Sequence, residues 1–121
     1  MHVKVEINGG GYMQVELRTV NTDTAEVLRG YVERRLRFAL GRFGRRVEPV
    51  SVTVSRNARG ETICGISTHI VPFGRVGVRE TDRDLFVAID RAAGRVGRLF
   101  GRELERAREV RVGRESIRLA A

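Results

Sequence analysis

Lysine is almost missing from this basic chain: of its 23 Lys and Arg residues, only Lys4 is lysine. Cysteine occurs once, at Cys64, which excludes an intramolecular disulfide and a cysteine-rich metal site. Tryptophan is absent and aromatics make up 6% of the chain, a poor composition for anchoring at a membrane interface. No apolar run approaches the roughly 20 residues of a membrane span. None follows the N-terminus as a signal peptide would require. His2 and His69 stand alone, without metal-ligand spacing. No acid–base pair, nucleophile triad or metal cluster assembles at recognisable spacing. The expectation is therefore a cytoplasmic protein that is not an enzyme, with no catalytic residues, no cofactor and no metal. A membrane or a small-molecule substrate is not expected as its partner.

What the chain does have is charge of one sign. Against 23 basic residues stand 15 acidic ones, for a net charge of +8 and a pI near 11.2. The choice of Arg over Lys has a bland explanation in GC-rich codon usage, but that leaves the excess of base over acid unexplained. The excess favours an anionic partner, nucleic acid ahead of membrane. With 121 residues and 41% hydrophobic content, the chain fits one domain with a real core.

Residues 2–7 alternate polar and apolar as a strand does, and Asn8 to Gly11 reads as a turn or linker. Residues 13–19 alternate again. Two readings of residues 1–12 stay open: an extra strand in a hairpin with the next, or a leader ahead of a domain that starts at Met13. Asp23-Thr-Ala-Glu26 has capping spacing, and a helix to about Phe43 follows with Leu28, Val32, Leu36, Ala39 and Phe43 as its buried stripe. Strands are expected over 50–55, 62–71 and 75–79, separated by turns at Asn57–Gly60 and Pro72–Gly74. A second helix opens after Thr81–Asp84 and runs to near Arg106. The rest, 107–121, has no clear period and reads as a frayed tail. The order β-α-β-β-β-α predicts an α+β two-layer sandwich, with a four-stranded mixed sheet and both helices on one face. The helix-linked strands should be parallel and the others joined as hairpins.

Arg91, Arg95, Arg98, Arg102 and Arg106 recur at steps of four, three, four and four. On a helix they form one stripe about 22 Å long, opposite Leu85, Ile89, Ala92, Val96 and Leu99. Like charges at i,i+4 cost a few tenths of a kcal/mol each, which a purely solubilising face would relieve with interspersed Glu. Guanidinium forks at this spacing suit a polyphosphate. On the first helix, Arg34, Arg37 and Arg45 lie far from the apolar stripe, with Arg42 at its border. Arg35 and Arg46 sit nearer the buried side, where they can snorkel. Side by side on one sheet face, the two helices would merge their arginines into one basic surface. Tyr31 and Phe38 lie between the apolar and basic sides. Their expected role is packing between the helices, with stacking on splayed bases as the alternative. Gly94, Gly97 and Gly101 fall inside a helix, so a nucleotide-binding loop fails on context. They suit close approach by RNA backbone or by a neighbouring helix.

The stretch Asp84 to Asp90, DLFVAID, opening a basic helix, resembles the signature of the hibernation-promoting factor and ribosome-associated inhibitor family. That family is also labelled as the sigma fifty-four modulation protein family. MQVELRT at Met13 resembles its first strand, and AEVLRGYVERRL at Ala25–Leu36 its first helix. The resemblance spans Met13 to about Arg106, in the family's order of elements, and matches its short form. It implies a fold similar to double-stranded-RNA-binding domains, within a ribosome-binding domain over 13–106. It also implies binding to the small ribosomal subunit and its rRNA in the mRNA/tRNA channel, and inhibition of translation in stationary phase or stress. The family's basic helix positions fall here on Arg34, Arg37, Arg42 and Arg45 and on Arg91, Arg95, Arg98 and Arg102. Two rival functions remain: a regulator that binds structured RNA in general, and a protein-interaction modulator of transcription.

Overall fold

The computed structural model describes the backbone of residues 2–7, 11–20, 25–47, 49–70 and 74–120, and the side chains of 13–20, 26–44, 47, 49–69 and 74–109. Alternating sequence becomes strand where one face can be buried. Thus β1 (His2–Ile7), β2 (Gly11–Val20), β3 (Val50–Arg56), β4 (Thr62–Ile70) and β5 (Gly74–Asp82) form one sheet in the order 1-2-3-4-5. The pairing of β2 with β3 is parallel and every other pairing is antiparallel. The helix crossover dictates that parallel pair, because its ends lie a full strand length apart. Residues 2–7 thus take the hairpin option: Val3 faces Val15 and Val5 faces Met13 across the ladder. The sheet has five strands, the four expected and this extra one.

Met13, Val15 and Leu17 of β2, Val50, Val52 and Val54 of β3, Cys64 and Ile66 of β4, and Val76 and Val78 of β5 all point to one buried face. Both helices cover it. Helix α1 (Ala25–Leu40) buries Leu28, Val32, Leu36 and Leu40 there. Helix α2 (Leu85–Ala120) buries Ala88, Ile89, Ala92, Ala93, Val96, Phe100 and Leu104. Each such branched or aromatic side chain contributes roughly 1.5–3 kcal/mol by leaving water.

Three details depart from the periodicity reading. Helix α1 ends at Leu40 rather than Phe43, and a 3-10 segment, Gly41–Arg46, takes over. Inside that segment Gly44, at φ +57°, makes a kink that a side chain would resist. Leu40 is accordingly the last core residue of α1, while Ala39 and Phe43 are only partly buried. Helix α2 continues past Arg106 to Ala120, where apolar periodicity has faded but backbone hydrogen bonding has not. Strand β5 reaches Asp82, three residues beyond the expected end. The suggested capping residues Asp23 and Thr24, and Pro72 and Phe73 of the second turn, lie outside the described residues.

Candidate nucleic-acid interface

The two helices lie side by side and run in the same direction. Tyr31 of α1 meets Phe86 of α2 edge-on, with ring centroids 4.7 Å apart. Farther along, Ala39 meets Gly97, and Phe43 stacks at a tilt on Phe100 at 4.6 Å. Gly97 makes this approach possible: a Cβ there would lie 2.8 Å from the Ala39 carbonyl oxygen. The glycine thus serves helix against helix.

A polar clasp closes the N-terminal part of the seam. The Tyr31 hydroxyl donates to Asp90 Oδ1 at 2.5 Å. Arg35 Nε lies 2.9 Å from the same oxygen, and Arg35 Nη2 donates to the Asp90 carbonyl at 3.4 Å. The hydrogen bond to the Asp90 carboxylate, aided by desolvation, raises the Tyr31 pKa above its ordinary value. Five of the seven residues of the Asp84–Asp90 stretch have a structural task. Asp84 caps α2, accepting from the Phe86 and Val87 amides at 2.9 and 3.3 Å. Phe86 seats Tyr31, Ala88 and Ile89 enter the core, and Asp90 holds α1.

The arginine stripe of α2 divides in two. Arg91 Nη1 donates to Asp82 Oδ2 at 3.0 Å, and Arg95 Nη1 to Glu80 Oε1 at 2.7 Å and to the Arg79 carbonyl at 3.3 Å. Asp82 and Glu80 are alternate residues of β5, so both present to the helix side of this edge strand. Arg98 and Arg102 are exposed and have no ion pair among the described residues. Arg106 pairs with Glu103 at 3.4 Å.

On α1, Arg34 and Arg42 are exposed, and each leans over an aromatic ring: Tyr31 at 6.0 Å and Phe43 at 4.7 Å. Arg37 is exposed as well. The Arg45 side chain lies outside the described residues. The structure therefore brings Arg34, Arg37, Arg42, Arg98 and Arg102 onto the outward helix layer and ties Arg91 and Arg95 to the sheet edge. Tyr31 packs between the helices as expected. Phe38 does not: it is 81% exposed, on the crest of α1. Seven residues after Tyr31, Phe38 stands only about 20° farther round the helix, so what separates the two is that Tyr31 has Phe86 and Asp90 against it.

Elsewhere there is little chemistry. Burial pushes the Cys64 thiol up to about 12, far from a reactive thiolate. No group of three or more His, Cys, Asp or Glu comes together to hold a metal among the described residues. The open face of the sheet carries a hollow of about 670 Å³ lined chiefly by Ser51, Thr53, Ser55, Gly65 and Gly77, with Arg79 and Arg95 at its side. None of the described helices is long and apolar enough to cross a membrane.

Residues 15–108 match the model of the family described as Sigma 54 modulation protein / S30EA ribosomal protein. The chain belongs to this family. The crystal structure of the Thermus thermophilus Protein Y N-terminal domain is similar, with a TM-score of 0.62 and 29% identity over 73% of this chain and 96% of that one. A ribosomal subunit interface protein from Coxiella burnetii shares the fold, with a TM-score of 0.65 at 11% identity over 75% of this chain and 97% of the other. No curated protein gives a significant match. The family match starts at Val15 and so leaves out β1, the strand that was optional in the sequence.

Proposed function

We propose that this protein is a ribosome-associated translation inhibitor of the hibernation-factor type. Its two arginine-bearing helices would grip small-subunit rRNA in the mRNA/tRNA channel, and the bulk of the domain would exclude mRNA and tRNA. The reading is non-enzymatic: positioning and charge do the work, and the cytoplasm is where the partner resides. Family membership supports the ribosome as partner, together with the likeness to Protein Y and to a ribosomal subunit interface protein. The observation that carries the RNA part is geometric. Parallel helices on one sheet face hold Arg34, Arg42, Arg98 and Arg102 outward together, with the interhelical seam closed beneath them. Such an array reads the shape and phosphate spacing of folded RNA more than its bases.

Sedimentation with purified small subunits across a salt series tests this. With about five phosphates neutralised, affinity should fall by roughly two to three decades between 50 and 200 mM salt. A shallow dependence would count heavily against the model. Equal affinity for generic duplex RNA and for small subunits would favour a general structured-RNA regulator. Nuclease-insensitive capture of a transcription protein would favour the modulator reading.

A further inference from the structure

Phe38 is a large apolar ring set out in water, and nothing in the fold needs it there. Its surroundings are specific. The Arg35 guanidinium lies over the ring, 5.6 Å from its centroid, and Arg35 is itself fixed by Asp90 across the seam. One helical turn to either side stand Arg34 and Arg42, both exposed. From Arg34 to Val47 the chain contains six arginines and no acidic residue. The other exposed large apolar side chains do not extend the ring into a patch: Val20 ends β2, Val27 lies three turns back, and Phe86 is engaged with Tyr31. An apolar protein groove would meet one phenyl ring surrounded by cations. A nucleotide would meet a π-face flanked by phosphate ligands, and the pinned Arg35 adds a cation–π contact.

We propose that Phe38 is a stacking platform for one unpaired nucleobase, whose flanking phosphates contact Arg34 and Arg42. The base must be unpaired and splayed, because a base inside a duplex has both faces covered by its neighbours. The inference rests on the RNA-binding reading above and adds to it a single-stranded contact that shape recognition alone does not supply.

The chain has no tryptophan, so Phe38→Trp installs a single indole at the site. Its emission should be quenched when small subunits are added, because a base stacks on it. Phe38→Ala should bind about tenfold more weakly. It should keep the wild-type salt slope, since no phosphate contact is lost, and the wild-type melting curve, since the ring is exposed. Phe38→Tyr should retain wild-type affinity. If wild type binds but Phe38→Ala binds equally well, or the indole emission is unchanged at saturation, stacking is wrong and the ribosome-binding reading stands. A blue shift without quenching would place the ring against protein and overturn the proposal. Failure of wild type to bind small subunits would overturn both.

Discussion

The two flanks of α2 make different kinds of contact in the fold. Toward α1 lie Phe86, Asp90, Gly97 and Gly101, fitted against Tyr31, Arg35, Ala39 and Phe43. Toward β5 lie Arg91 and Arg95, half-exposed and joined to Asp82 and Glu80 by single ion pairs. On the first flank a small change in shape displaces backbone. On the second a lost contact is replaced by water. Fit therefore belongs to the seam, while the outer flank and crest hold charge that can be exchanged for a partner's.

Gly97→Ala should make the largest difference. The new methyl group would meet the Ala39 carbonyl at a distance that atoms do not tolerate, so α1 must move. A loss of about 1–3 kcal/mol is expected in denaturant unfolding. Gly94→Ala is the control, because the nearest atom there is the flexible end of Arg98. Equal stability of the two variants would show that the seam is not tightly fitted.

Next in size is the division within the arginine stripe. Arg98→Gln with Arg102→Gln should lower the slope of log affinity against log salt by nearly two, and weaken small-subunit binding by about tenfold or more at moderate salt. Arg91→Gln with Arg95→Gln should do less, since those guanidinium groups must leave acidic partners to reach phosphate. If the pairs prove equivalent in a salt-resolved binding assay, the β5 acids do not discount the upstream arginines.

Much of this was legible before any coordinates. Alternation located β2 and β3 and left β1 as one of two readings, turn residues bounded β4 and β5, and the helix crossover led to the expectation of a parallel β2–β3 pair. The apolar stripes chose the sheet-facing sides of both helices. What escaped depended on contacts between distant segments. Asp82 and Glu80 neutralise Arg91 and Arg95 respectively only because β5 runs on to Asp82 and presents alternate residues beneath α2, a register that helical spacing does not encode. Asp90 looked like part of a motif and is a clasp. Phe38 was expected between the helices, because a border position leaves open which way the ring turns, and the ring faces outward. Leu40 was missed because the apolar stripe was carried on through Ala39 to Phe43, whereas the α-helix ends at Leu40 and closes the core there.

The clasp itself offers a smaller effect with a pH signature. Tyr31→Phe removes the hydroxyl and leaves Asp90 with Arg35, so the expected loss is about 0.5–1 kcal/mol near neutral pH. In the folded protein the Tyr31 pKa is raised, chiefly by its hydrogen bond to Asp90. Stability from that bond is therefore fully present below the unfolded value of about 10 and is lost as pH rises through the higher folded value. Wild type and Tyr31→Phe should differ at about pH 8 and converge in strongly alkaline solution.

The smallest effect belongs to the outer flank, and it closes the comparison. Asp82→Asn and Glu80→Gln each break one exposed ion pair and should cost less than about 1 kcal/mol in stability. In the same variants Arg91 and Arg95 lose their competing acids, so small-subunit affinity should rise and the salt slope should steepen by up to about two. One pair of substitutions would thus weaken the fold slightly and strengthen binding. The seam cannot show this pattern, because its groups are committed to one another. If affinity falls in these variants instead, the β5 acids serve to aim the two arginines at the RNA rather than to withhold them, and Arg91 and Arg95 rejoin Arg98 and Arg102 as one functional stripe.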